Sequence, residues 1–228
     1  MLDNMKRMLA DISSEVHFTR EYIGKEALNQ RVMDVMAQVP RDVFVPDDIK
    51  SLAYDNCPLP IGFNQTISQP YIVALMTDLL AIQPEHRVLE IGTGCGYQTS
   101  VLSRLCSQVY SVERISELLM MAQQHFVQLE YDNIQIKLGN GYNGWPEYAP
   151  YDGILVTAAA THIPEALTTQ LKPGGRMVIP IGLENMHQEL FLLQKDNRNV
   201  VTVDSILPVA FVPLVGDPVL HYPDDTIH

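Results

Sequence analysis

The densest chemical signal in the chain is Val88-Leu89-Glu90-Ile91-Gly92-Thr93-Gly94-Cys95-Gly96. The apolar run predicts a buried strand, and the alternating glycines predict a backbone that turns sharply into a helix and lets a ligand approach closely. Position 97 is Tyr97, where a dinucleotide fingerprint would carry its third glycine, so a nicotinamide or flavin site is disfavoured. Glu90 stands just before the loop, and a second acid, Glu113, ends the next apolar run, Tyr110-Ser111-Val112-Glu113. In a doubly wound sheet the ends of adjacent parallel strands open into one crevice, where Glu113 can accept hydrogen bonds from both ribose hydroxyls and Glu90 suits a cationic ligand. A 2′-phosphate would be repelled. An adenosine ligand with positive charge and no phosphate fits these demands, which describes S-adenosylmethionine. The plainer alternative is a tight turn with a solvated Glu113, against which the two glutamates in register after apolar strands weigh heavily.

Two further segments belong to the same crevice. Gly139-Asn140-Gly141-Tyr142 follows an apolar run, so that the Asn140 amide could contact an adenine edge or simply form an Asn-Gly turn. Tyr142 and Trp145 could wall the pocket or pack. Ser68 precedes Pro70 and is expected either to cap the following helix or to orient a substrate. None of the seven histidines forms a recognisable triad motif with it, and no pair of the three cysteines has C-x-x-C spacing, so no metal site is expected.

The elements that must position these residues are legible as periodicities. Leu2, Met5, Leu9, Ile12 and Val16 form one helical stripe, and Leu28, Val32, Val35, Met36 and Val39 a second. Val43-Phe44-Val45 is bracketed by Pro40 and Pro46, residues 54–68 read as an irregular loop, and a helix is predicted over 69–81 with Ser68 as N-cap. Strands at 87–91, 109–112, 134–138, 153–157 and 176–181 then alternate with helices at 97–106, 115–129 and 163–171. That alternation predicts an α/β fold with a doubly wound, mostly parallel sheet covered on both faces. Strand-like runs at 189–193, 200–206 and 209–215 have no helix between them and are expected as antiparallel strands at a sheet edge.

At 228 residues with 46% hydrophobic and 18% charged side chains, the chain can bury one sizeable core. Its formal charge of −12 and lack of a basic cluster argue against nucleic acid and anionic lipid as partners. An odd number of cysteines, a charged N-terminal segment and the absence of any long apolar run predict a reduced, cytoplasmic protein without a membrane span. Oligomeric state is left open, and a monomer is compatible.

Over residues 27–215 the chain resembles the protein-L-isoaspartate O-methyltransferases. The resemblance is carried by Pro40-Arg41-Asp42-Val43-Phe44-Val45-Pro46, Gln65-Thr66-Ile67-Ser68-Gln69-Pro70-Tyr71, the glycine loop and Phe211-Val212-Pro213-Leu214. It implies a Rossmann-like, seven-stranded class I methyltransferase fold, S-adenosylmethionine as cofactor, and isoaspartyl proteins and peptides as substrates. Methylation of the isoaspartyl carboxylate would open repair through a methyl ester and a succinimide. Ser68 matches the family's active-site serine, Thr66 and Ile67 would face donor and substrate, and Phe211, Val212 and Leu214 would contact the peptide through backbone. Glu90, Gly92, Thr93, Gly94, Gly96 and Glu113, with Asn140 and Gly141, match cofactor positions. Asn140 replaces the family's usual Asp, Phe63-Asn64 a more glycine-rich approach, and Cys95 a frequent Ser. Residues 1–68 are then a helical extension and covering loop, 69–215 the methyltransferase core and 216–228 a tail. Competing readings are a carboxyl methyltransferase for ordinary Asp or a small molecule, and a binding module that has lost the cofactor.

Overall fold

A computed structural model describes residues 2–184 and 186–216. The tail expected at 216–228 therefore lies outside the described residues after Gly216. Two helices open the chain, α1 (Leu2–Ile23) and α2 (Gln30–Met36), the second capped by the Asn29 side chain, which accepts from the Arg31 N–H. The buried line of α1 runs through Met8, Ile12, Val16 and Ile23, so the first stripe is rotated toward Met8, with Met5 and Leu9 only partly buried. Two 3-10 turns, Arg41–Phe44 and Asp47–Leu52, follow.

Residues 54–68 are not an irregular loop. They contain a hairpin, β1 (Leu59–Gly62) and β2 (Gln65–Ile67). Its tip places Phe63 and Asn64 at φ 53° and 55°, a conformation for which Asn is suited and Phe is not a sequence signal. The next helix, α3 (Pro70–Leu79), corrects the capping expectation. Its N-cap is Gln69, and the Tyr71 N–H is satisfied across the loop by Asn56 Oδ1 at 3.0 Å. Ser68 is one residue too early to cap, and its carbonyl is held by Arg41 instead.

The remaining elements are β3 (Arg87–Ile91), α4 (Tyr97–Ser103), β4 (Gln108–Glu113), α5 (Ser116–Gln128), β5 (Ile134–Leu138), β6 (Tyr151–Val156), α6 (Glu165–Gln170), β7 (Leu171–Gly182), β8 (Gln188–Lys195) and β9 (Val201–Val209). They build a seven-stranded sheet in the order β5-β4-β3-β6-β7-β8-β9, parallel from β5 to β7 and antiparallel from β7 to β9. The predicted doubly wound, mostly parallel architecture is thus the observed one. The two strands expected at 200–206 and 209–215 are corrected to one. β9 ends at Val209, and the chain beyond it runs extended to a single parallel bridge between Pro213 and Ala159. Prolines at 208 and 213 remove ladder donors and confine that segment to an edge.

Strand side chains alternate between two cores, as a period of two requires. Val88, Val109, Leu155 and Val178 join the cluster containing Met8, Ile12 and Val16 of α1, while Leu89, Ile91, Val112 and Ile179 join the opposite one. Glu90 and Ser111, in register on β3 and β4, fall on the first face, toward α4. The strand order reverses beside β3, where the chain winds outward through β4 and β5 and then returns to β6. The crevice at those carboxyl ends is where a ligand site belongs.

Gly96 shows what the glycine loop costs and why. It sits at φ 91°, and a Cβ there would meet the Phe126 ring at 2.6 Å, so its bare backbone is what lets α5 close on α4. Gly96→Ala is expected to destabilise the protein by about 2 to 4 kcal/mol, from left-handed strain plus overpacking. Urea unfolding checks this, and a loss below about 1 kcal/mol would contradict the packing role.

Candidate active site

The loop after β3 is built from below. Glu90 is fully buried, and its Oε2 accepts from the Thr99 and Ser111 hydroxyls at 2.5 and 2.6 Å. Ser111 Oγ lies 2.7 Å from Thr93 Oγ1, so a short polar relay joins strand, helix and loop. Glu90 Oε1 has no hydrogen-bond partner among the described residues. Burial pushes this carboxyl up to about 8, against the pull of its two hydroxyl donors and with the Glu113 charge adding to the rise. A folded value raised above the ordinary 4.5 stabilises the fold fully below that pH and loses its contribution as pH climbs through about 8. Glu90→Gln should therefore flatten the fall in Tm of the ligand-free protein between about pH 5 and pH 8. An unchanged slope in a pH series of thermal melts would contradict it.

Glu113 closes the loop from the side. Its Oε2 accepts from Gly94 N–H at 2.8 Å and its Oε1 from the N–H groups of Arg114 and Ile115 at 2.7 and 2.9 Å. Thr157, at the end of β6, donates its hydroxyl to the carbonyls of Ile91 and Gly92. A Cβ on Gly92 would run into that same hydroxyl oxygen.

A cleft opens above these groups. Its walls include Gly92, Thr93, Gly94, Glu113 and Gly141, with Thr66, Ile67 and Ser68 from the hairpin side and Val212 and Leu214 from the C-terminal segment. The structure thus brings together residues far apart in the chain. Glu90 and Gly96 support the loop from behind and are not part of the cleft wall. Asn140 is also outside it: its Oδ1 caps the Tyr142 N–H at 3.0 Å and its Nδ2 donates to the Gly216 carbonyl at 2.8 Å. Tyr142 and Trp145 pack in the second core.

A second groove meets the cleft. Thr66, Ser68, Thr157 and Val212 line both cavities, while Phe211 belongs to the groove alone. The segment expected to offer backbone to a peptide uses much of it internally. Phe211 N–H and C=O are bound by the buried Gln188 side chain, and Val212 C=O and Leu214 N–H pair with Ala159.

Several supporting residues escaped the sequence reading of roles. Arg41, within the Pro40 to Pro46 motif, is fully buried, donates to the Ala53 and Ser68 carbonyls at 2.8 Å each, and lies 4.9 Å from the centre of the Tyr97 ring. Phe44 packs edge-on against both Tyr97 and His125, and the His125 ring bonds the Cys95 carbonyl. The motif was visible, but nothing in its spacing said that it props the glycine loop. Thr157 and Gln188 carry no local signal. The buried thiols of Cys95 and Cys106 are pushed up by desolvation to about 11 and about 12, which leaves them unionised at neutral pH. Among the described residues no group of acids, histidines and cysteines could hold a metal, and no helix is long and apolar enough to cross a membrane.

Residues 17–218 match the family model described as "Protein-L-isoaspartate(D-aspartate) O-methyltransferase (PCMT)". The chain is 56% identical over 209 residues to protein-L-isoaspartate O-methyltransferase 2 of Polaromonas sp. (strain JS666), covering 92% of this chain and 99% of that one. It is 53% identical over 210 residues to the protein of the same name from Syntrophobacter fumaroxidans, covering 92% and 85%. Among solved structures, a protein-L-isoaspartate O-methyltransferase superposes with a TM-score of 0.81 at 28% identity, over 93% of this chain and 66% of that one. A Plasmodium falciparum structure assigned to the same activity, in complex with S-adenosyl-L-homocysteine, superposes with a TM-score of 0.72 at 26% identity, over 90% and 96%.

Proposed function

The chain belongs to the protein-L-isoaspartate(D-aspartate) O-methyltransferase family, and from that premise we propose how its two cavities divide the reaction. It is an enzyme that methylates the free carboxylate of L-isoaspartyl residues in proteins and peptides, using S-adenosylmethionine. The observation that carries the division of labour is the shared wall of Thr66, Ser68, Thr157 and Val212 between cleft and groove.

The residues present fit the cofactor. Gly94 presents bare backbone to the cleft, and Glu113 offers a carboxylate rather than a cation to a ribose. Gly92, Thr93, Gly94, Glu113 and Gly141 would hold the adenosine and amino-acid parts, with Glu90 and Gly96 acting through the loop they support and Asn140 through the turn it caps. When bound, the sulfonium supplies an electrophilic methyl group.

The acceptor needs no base, because a carboxyl with pKa near ~4 is already ionised at neutral pH. The protein's task is to hold that oxygen in line and exclude water, an alignment that can remove about 7 to 11 kcal/mol from a barrier. Ser68 donates a hydrogen bond to the carboxylate, since its carbonyl is tied down by Arg41 and its hydroxyl is not needed for the helix cap. Thr66 and Ile67 flank it, Phe211 and Val212 form the apolar wall along which the peptide lies, and Leu214 faces the bound carboxylate from the cleft side. Residues 1–68 supply the hairpin and α1 to one domain with 69–215. The following backbone nitrogen then attacks the ester carbonyl, loses its proton and expels methanol, and the resulting succinimide takes up water to give in part a normal aspartyl bond.

Ser68→Ala is expected to lower kcat about tenfold to a hundredfold, the worth of one hydrogen bond to a charged group, with much less change in KM. The reading itself is tested with labelled donor and paired peptides that differ only in isoaspartate against aspartate. Strong preference for the isoaspartyl peptide is expected. Equal or reversed labelling would reject it.

A further inference from the structure

The groove that receives the peptide extends past the shared wall to α1, where Glu15 and Thr19 form its far side. Thr19 Oγ1 donates to the Glu15 carbonyl at 2.7 Å and lies 2.5 Å from the Tyr71 hydroxyl, so this end of the groove is a fixed surface tied to the first turn of α3. The other groove-lining side chains are Tyr71 and uncharged residues, so Glu15 supplies the one full charge among them. The residue is partly buried, and no hydrogen bond or ion pair engages its carboxylate among the described residues. Its negative charge is felt at the Tyr71 phenol, which is held above its ordinary value by burial first and by Glu15 in addition. Glu15 also precedes residues 17–218, the stretch matched by the family model.

We propose that Glu15 selects isoaspartyl peptides carrying a cationic group, a Lys or Arg side chain or a free α-ammonium, beside the damaged residue. The inference rests on the reading of the groove as the peptide site. An unpaired carboxylate on the wall of a groove otherwise lined by uncharged side chains attracts a cation and repels a second carboxylate. With the isoaspartyl carboxylate at Ser68, the chain flanking it is drawn along the groove toward α1. Glu15 thereby discriminates among damaged sites by the charge of their neighbours, without touching the reacting atoms.

The test uses the full-length enzyme and isoaspartyl peptides identical except for Lys, Gln or Glu at each of the positions flanking the isoaspartate. At low salt the native enzyme should methylate the best-placed Lys peptide about fivefold to tenfold more efficiently, in kcat/KM, than its Glu counterpart. The ratio should shrink toward one in Glu15→Gln, invert in Glu15→Lys, and fade at high ionic strength. Because each ratio is taken within one variant, partial loss of folded protein cancels. Labelling of every isoaspartyl peptide without regard to flanking charge, or an order unchanged in Glu15→Lys, would overturn the inference alone. Failure to label any isoaspartyl peptide, with S-adenosylhomocysteine still binding, would overturn the reading beneath it.

Discussion

Glu113→Ala should abolish usable cofactor binding, weakening S-adenosylhomocysteine by at least about a hundredfold, and should destabilise the ligand-free protein by about 2 to 4 kcal/mol. Two losses combine. The buried carboxylate gathers three backbone N–H groups, those of Gly94, Arg114 and Ile115, and so fixes the glycine loop to the start of α5. Truncation leaves those donors without their acceptor, and hydrogen bonds to a charged group are about twice as strong as neutral ones. The ribose loses its acceptor at the same stroke. Glu113→Gln separates the two effects: one carbonyl oxygen can still serve Arg114 and Ile115, but its NH2 would face the Gly94 donor. The amide variant should therefore keep most of its stability and still bind the cofactor product at least about tenfold more weakly. Calorimetry and urea unfolding check both, and affinity within twofold of native in either variant would contradict the assignment of Glu113.

Arg41→Met is expected to cost about 3 to 5 kcal/mol and to reduce turnover even where the variant remains folded. Replacing a buried ion pair by apolar groups can be neutral, because both charges leave together. Here the partners are the carbonyls of Ala53 and Ser68, which remain behind, buried and without their donor. Burial lowers the pKa of the guanidinium, and arginine nonetheless keeps its proton in proteins. Arg41→Lys should rescue little, because one ammonium on a flexible stem does not reproduce a fork that also stacks on Tyr97. Loosening Ser68 should appear in kcat more than in KM. A variant with native turnover and a stability loss under about 1 kcal/mol would show that the motif at 40–46 does not hold the active loop.

The central strands were legible because parallel strands buried on both faces read as apolar runs, as in Arg87–Ile91 and Tyr151–Val156, while the edge strand Ile134–Leu138 carries polar Gln135 and Lys137. Glu113 was legible because an acid ending such a run stands at the carboxyl end of the sheet, where the crevice opens. Other parts depend on contacts between residues distant in sequence. Asn56 satisfies the first turn of α3 from fifteen positions away, which no local pattern shows, whereas local pattern offers Ser68 as a cap that the structure does not contain. The hairpin at 59–67 was missed because its turn uses Phe63 and Asn64 where a glycine pair would have announced it. Glu90 reads from sequence as a ligand contact. Alternation along β3 instead turns it inward to Thr99 and Ser111, a consequence of the two-residue period that becomes evident only once both faces are covered. Gln188 and Thr157, which hold the two walls of the site, are single polar residues whose importance comes wholly from what packs on them.

In the proposed reaction, methyl donor and isoaspartyl carboxylate meet at the wall formed by Thr66, Ser68, Thr157 and Val212. A crystal structure with S-adenosylhomocysteine and an isoaspartyl peptide bound together tests it most directly. Ribose hydroxyls are expected on Glu113, with the sulfur opening toward that wall and the peptide carboxylate within hydrogen-bond reach of the Ser68 hydroxyl. A peptide carboxylate bound away from Ser68, or a nucleoside bound elsewhere than between Gly94 and Glu113, would contradict it.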